Sequence, residues 1–176
     1  MKIKVLPPNI NLSKIGFTIS EDNNSLEGKA IRFGLSAIKN VGEVAIKAIL
    51  EARDVGGEFK SLADFCQRVD QQKINKKVLE SLIRVGAIDK FGKRAAMLSS
   101  LENIRSKSAN TQKQKANGQA GFFDADDSED PQFADKLPDM EEFSHQELLS
   151  LEKELLGFYL TEHPLTPFLS VLEAKR

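Results

Sequence analysis

Apolar residues recur along this chain at helical spacing in several separate stretches, and alternate with polar ones only near its start. Val41, Ala45, Ala48, Ile49 and Ala52 fall on one helical face, which runs out at Gly56-Gly57. Leu62, Phe65 and Val69 give the face of a second helix beginning at Ser61, with Asp64 three residues on as its capping partner. Asn75 caps a third, in which Val78, Leu79, Leu82 and Ile83 point inward until Gly86. After a turn at Phe91-Gly92, Arg94–Ser108 reads as a fourth helix, with Ala95, Leu98, Leu101 and Ile104 in register. Ser144 and Glu147 form a capping box for a helix over Ser144–Leu156, with an apolar stripe at Leu148, Leu151, Leu155 and Leu156 and a stop at Gly157.

The strand signals are shorter. Lys2–Val5 alternates until Pro7-Pro8 stops it, and Phe17–Ser20 alternates until the turn-like Glu21–Ser25. Ile31-Arg32-Phe33 is a third short candidate, and Phe158-Tyr159-Leu160 a fourth, followed by a turn at His163-Pro164 and a helical start over Thr166–Lys175. Between the helical blocks, Asn110–Gly118 is polar and mixed in charge and Asp124–Asp130 is acidic; neither buries enough apolar surface to fold alone. The expected fold is mainly α: a helix-hairpin-helix helical domain with a short extended N-terminal arm and a disordered acidic linker. The expected division is an arm over 1–29, the helical domain over 30–108, a flexible linker over 109–143 and a helical junction over 144–176.

Charge divides the chain more sharply than hydropathy does. Residues 1–115 hold 21 Lys and Arg against 12 Asp and Glu, and residues 116–176 hold 4 against 14, so a net charge of −1 conceals a basic front and an acidic back. The front is a candidate polyanion binder and the back is not. One cysteine, Cys66, excludes a disulfide framework and points to a reducing compartment. No apolar run approaches the roughly 20 residues of a membrane span, and the first residues lack the apolar core of a signal peptide. A cytoplasmic protein without membrane contact is expected.

Two stretches carry candidate chemistry. In Ile31–Arg53 the turn Lys39-Asn40-Val41-Gly42 joins two apolar helical patterns, which makes a helix-hairpin-helix unit. Free backbone N–H groups at the start of its second helix suit a phosphate oxygen, Glu43 lies in the first turn where the macrodipole favours it, and Lys39 and Lys47 flank the turn. Such contacts read backbone rather than base edges, so the turn is either a purely structural helix connection or a contact to DNA of any sequence through its free N–H groups, Lys39 and Lys47. The second stretch is Gln119-Ala120-Gly121-Phe122-Phe123, two adjacent phenylalanines in a polar setting. Each would gain roughly 1.5–3 kcal/mol on full burial, either against its own domain or in the apolar pocket of a partner, with Gln119 at the rim. Catalysis finds no footing: His145 and His163 are far apart, and no phosphate-cradling Gly-rich loop, CxxC or nucleophile–base pair is present. No catalytic residue, metal site or cofactor is expected.

Five stretches in this order resemble the bacterial replicative DNA polymerase III alpha-subunit family: VLPPNIN at Val5–Asn11, IRFGLSAIKNVGE at Ile31–Glu43, NKKVLESLIRVGAID at Asn75–Asp89, GQAGFF at Gly118–Phe123 and EKELLGFYLTEHPL at Glu152–Leu165. The resemblance implies an internal piece of such a polymerase. It would comprise the end of the fingers region, the clamp-binding domain with its helix-hairpin-helix on duplex DNA through Lys39, Asn40, Val41, Gly42 and Glu43, with Lys47 flanking, and a junction toward a nucleic-acid-binding barrel. It also implies that Gln119, Ala120, Gly121, Phe122 and Phe123 are an internal sliding-clamp motif, and that the remaining polymerase III holoenzyme is a partner. The family is a nucleotidyltransferase, but its catalytic palm is not among the matched stretches, so this chain is expected to be inactive alone. Hairpins of this kind usually have Gly where Asn40 stands, and Asn is among the side chains that tolerate left-handed backbone. The competing expectation is a non-catalytic helical scaffold with no binding activity of its own.

Overall fold

The computed structural model describes residues 4–22, 28–116 and 137–160. Three short strands come first: β1 (Lys4–Leu6), β2 (Thr18–Glu21) and β3 (Lys29–Arg32). Five helices follow: α1 (Glu43–Gly56), α2 (Leu62–Arg68), α3 (Lys76–Arg84), α4 (Arg94–Ala116) and α5 (His145–Leu156). The mainly α architecture with an extended start agrees with the sequence pattern.

β3 is the central strand, parallel to β1 and antiparallel to β2. The register places Val5 beside Ile31 and Ile31 beside Ile19, so these three share one face of the sheet. That face continues into an aromatic row, in which the Phe33 ring lies 4.5 Å from Phe17 and 5.1 Å from Phe158. Gly34 follows β3 where the backbone of Ile15 and Gly16 crosses it so closely that a side chain at position 34 would collide.

The extended segment is tied to the helices by polar groups buried with their partners. Asn11 accepts from the Phe59 N–H and donates to the Phe59 carbonyl, both at 2.9 Å, and so completes a strand-like pair with its own amide. The Arg53 guanidinium on α1 donates to the carbonyls of Ile10 (3.0 Å) and Ser13 (2.9 Å). Ile10 enters the core that α1, α2 and α3 build from Ile46, Ile49, Leu62, Phe65, Leu79 and Leu82. The Phe59 and Phe65 rings meet edge to face at 4.9 Å, and Arg68 lies over Phe59 while donating to the Ala52 carbonyl within α1 and to that of Gly57 just after it.

The predicted caps form. The Ser61 hydroxyl accepts from the Asp64 N–H, Asn75 from Val78, and Ser144 and Glu147 cap each other reciprocally, with Gly157 left-handed at the end of α5. Other expectations fail for identifiable reasons. The upstream arm of the hairpin is no α-helix: Ile31 and Arg32 are spent on the central strand, and the few residues left before the reversal make only a 3-10 turn over Leu35–Ala37. Helix α4 does not stop at Ser108 but runs to Ala116. Ala109, Gln112 and the alternating Lys and Gln after it are good helix formers that extend an existing helix cheaply. Gln112 donates from it to the C-terminal carbonyls of α2 at Cys66, Gln67 and Val69. Phe158–Leu160 is not a strand, because the Leu160 N–H turns back onto the buried Glu152 carboxylate at 2.7 Å. Leu149 and Leu155 are the most buried leucines of α5, with Leu148 and Leu151 at its margin.

Residues 137–143 lie against the start of α4. Lys93 reaches the Met140 carbonyl at 2.8 Å, and the Glu142 carboxylate accepts from the N–H groups of Arg94 (2.7 Å) and Ala95 (3.1 Å). This carboxylate caps a helix from a remote part of the chain. Burial, the largest single influence on it, raises its pKa; the three backbone N–H donors from Phe143, Ala95 and Arg94, with the Arg94 charge, outweigh that and hold it below 4.5.

Two outcomes follow from this packing. Asn11→Ala leaves the buried Phe59 N–H and carbonyl without partners and should lower stability by about 3 kcal/mol, read from urea unfolding; an unchanged midpoint would show that the pair does not hold the segment. The Glu142 cap is complete above the ordinary carboxylate pKa and is lost as pH falls through its lower folded value. Protection of the Arg94 and Ala95 amides, taken relative to their intrinsic exchange rates, should therefore fall as pH drops below the ordinary carboxylate range, and Glu142→Gln should remove that pH dependence.

Candidate nucleic-acid interface

The turn at Lys39–Gly42 begins where Leu35 and Ile38 enter the core and the chain must reverse before α1. The Val41 N–H closes the reversal onto the Ile38 carbonyl at 3.2 Å. Its third residue, Asn40, has φ +70 and is the one non-glycine residue with positive φ among those described. A β-turn with positive φ at this position favours Gly or Asn. The side chain stays in use: Asn40 Nδ2 donates to Ser81 Oγ on α3 at 3.1 Å. On the other side, the Lys39 N–H donates to the Leu155 carbonyl at the end of α5, at 2.9 Å. The reversal is thus gripped between two helices, while the Lys39 and Asn40 residues themselves remain exposed.

Gly42 is the residue before α1, extended at φ −79, with no side-chain cap on the helix. A Cβ there would meet nothing within 4 Å, so neither its backbone conformation nor internal packing demands glycine. The open space lies in front of the first amides of α1, where the unbonded donors and the positive end of the macrodipole are found. Val41 is buried beneath the turn, and Glu43 and Lys47 stand exposed on the first turns of α1. These two form an i,i+4 ion pair at 2.7 Å. The hydrogen bond and charge of Lys47 hold the Glu43 carboxyl below its ordinary range, and Glu43 raises Lys47 in return. An incoming phosphate must therefore compete with Glu43 for Lys47, whereas Lys39 has no ion-pair partner among the described residues.

The structure brings Lys39, Asn40, Val41, Gly42, Glu43 and Lys47 into one place. Gln119, Ala120, Gly121, Phe122 and Phe123 lie outside the described residues. The pattern of the chain left unmarked the two anchors of the turn. Ser81 had a signal, as the one polar residue in the buried stripe of α3. The Leu155 carbonyl had none, since a backbone acceptor at a helix end has no sequence signature.

Comparison with known proteins adds to this geometry. The model of the helix-hairpin-helix motif family matches residues 2–98. The DNA polymerase III subunit alpha of Thermus aquaticus is 44% identical over 162 residues, which is 92% of this chain and 12% of that protein. Those of Vibrio cholerae and Escherichia coli K12 are 41% and 39% identical over 98% of this chain, and the match takes up 14% of each. The chain therefore spans about an eighth of the length of the curated relatives it matches. With a left-handed reversal ahead of an uncapped helix, and a match that runs through strands and helices alike, this chain belongs to the helix-hairpin-helix motif family, in the sequence form found in DNA polymerase III alpha subunits.

Proposed function

We propose that this chain is the part of a replicative DNA polymerase that holds duplex DNA by its backbone, through Lys39–Glu43 and Lys47, and binds the sliding clamp through Gln119–Phe123. The observation that carries the DNA reading is Gly42: a glycine that no internal constraint requires stands in front of uncapped helix amides. There the absent side chain lets a phosphate oxygen approach the N–H groups, with Lys39 beside it. Contacts of this kind are independent of sequence and weaken steeply with salt.

The clamp reading rests on the residues of Gln119–Phe123 and on the likeness to DNA polymerase III subunit alpha. A peptide that ties the polymerase to a ring on the same duplex raises its effective concentration at the primer end and so supports processive replication. In this reading the chain performs no chemistry itself, needs no cofactor, works in the cytoplasm and acts with the rest of the polymerase III holoenzyme. One observation favours the rival reading of a scaffold without binding activity: Arg53, Arg68 and Arg94 all donate to carbonyls of this chain, so part of the basic surplus is consumed internally.

Fluorescence anisotropy with duplexes of unrelated sequence decides the DNA reading. Lys39→Glu should weaken every duplex about equally, and Gly42→Ala should weaken binding while the chain stays folded, with only the modest stability loss of a poorer N-cap residue (about 1 kcal/mol or less). Unaltered affinity in both variants, or an effect confined to one sequence, would overturn it. For the clamp, the chain should bind the isolated ring, and Gln119→Ala/Phe122→Ala/Phe123→Ala should abolish that binding; a wild-type chain with no measurable affinity leaves the scaffold reading in its place.

A further inference from the structure

We infer that α3 is a second wall of the DNA-backbone interface and that Lys77 is its phosphate contact, an inference that rests on the DNA reading above. The placement comes from the hydrogen bond between Asn40 and Ser81 at 3.1 Å, which seats the hairpin turn on α3. Lys77 is four residues before Ser81 and so shares its face one turn away, with Cβ atoms about 5–6 Å apart. Side chains on a helix lean toward its N-terminus, so Lys77 extends past the turn rather than over it. A lysine so placed reaches a phosphate neighbouring the one at Gly42, since successive phosphates of a strand advance about 3.4 Å along the duplex axis.

The other cations of α3 are already engaged. Lys76 pairs with Glu102 on α4 at 3.0 Å. Arg84 approaches Glu80 at 4.0 Å and lines a groove with Ser144, Glu147 and Leu151. Lys77 is exposed and has no ion pair among the described residues. The start of α3 offers no competing anion site, because Asn75 already accepts from the Val78 N–H at 2.9 Å. The arrangement therefore offers one lysine next to Asn40 in the turn and one a helical turn before Ser81 on α3.

The test is a salt series of anisotropy titrations on a labelled mixed-sequence duplex with the full chain. Lys77→Gln should reduce the slope of log K against log salt by about one, and lower affinity by up to about eightfold at 0.1 M salt. Lys77→Arg should restore both. Lys107→Gln on α4 removes the same charge away from the turn and should change the slope little. Lys39→Gln should act like Lys77→Gln, and the double variant should lose about two units of slope. Unchanged circular dichroism of Lys77→Gln excludes misfolding. A Lys77→Gln slope equal to wild type, or to Lys107→Gln, overturns this inference while a Lys39→Gln effect leaves the DNA reading standing. A wild-type chain that fails to bind the duplex overturns both.

Discussion

The left-handed backbone at Asn40 is the constraint around which the rest is arranged. A non-glycine residue in this conformation costs about 1–2 kcal/mol. Asn lies at the low end of that cost, and its hydrogen bond to Ser81 returns about 0.5–1.5 kcal/mol. Because the reversal is this tight, Ile38 and Val41 both reach the core although they lie on either side of it. For the same reason the start of α1 faces away from that core. The two helices that grip the turn come from distant parts of the chain, so hairpin geometry is a property of the whole assembly and not of its own few residues. A glycine at position 40 would adopt the same φ without strain, but would leave Ser81 without its side-chain partner.

Positive charge is partitioned by side-chain shape. The planar guanidinium can serve several acceptors at once: Arg53 and Arg68 each hold two or more carbonyls, fixing the extended segment and the end of α1, and Arg94 holds the Arg84 carbonyl at the end of α3 together with the Asp89 carboxylate. The described lysines stay exposed, some in ion pairs and others, like Lys39 and Lys77, without one. A count of basic residues overstates the field available to a polyanion. The exposed lysines near the turn are the better measure.

Legibility followed the range of the interaction. Ser61, Asn75, Ser144 and Glu147 announce their helices because a cap and its partner lie three residues apart. The tolerance of Asn40 for its turn was readable for the same local reason. What escaped was non-local. The parallel pairing of β1 with β3 leaves no trace in either strand. The Asn11–Phe59 pair spans 48 positions. The buried stripe of α4 ends near Ser108, but the helix persists beyond it through propensity and the reach of Gln112 to the end of α2. Ile31 fits either period, and the strand alternative prevailed over a first helical arm because β3 is the central strand of the sheet.

Helix α4 also sets the distance over which the packing is coupled. Its 23 residues make a rod about 35 Å long. At its start Lys93 and the Glu142 carboxylate tie it to residues 137–143, and further along Gln112 ties it to the end of α2. From Arg94 to Gln112 the axis advances about 27 Å, so a tilt imposed at one of these anchorages is carried to the other by a stiff rod.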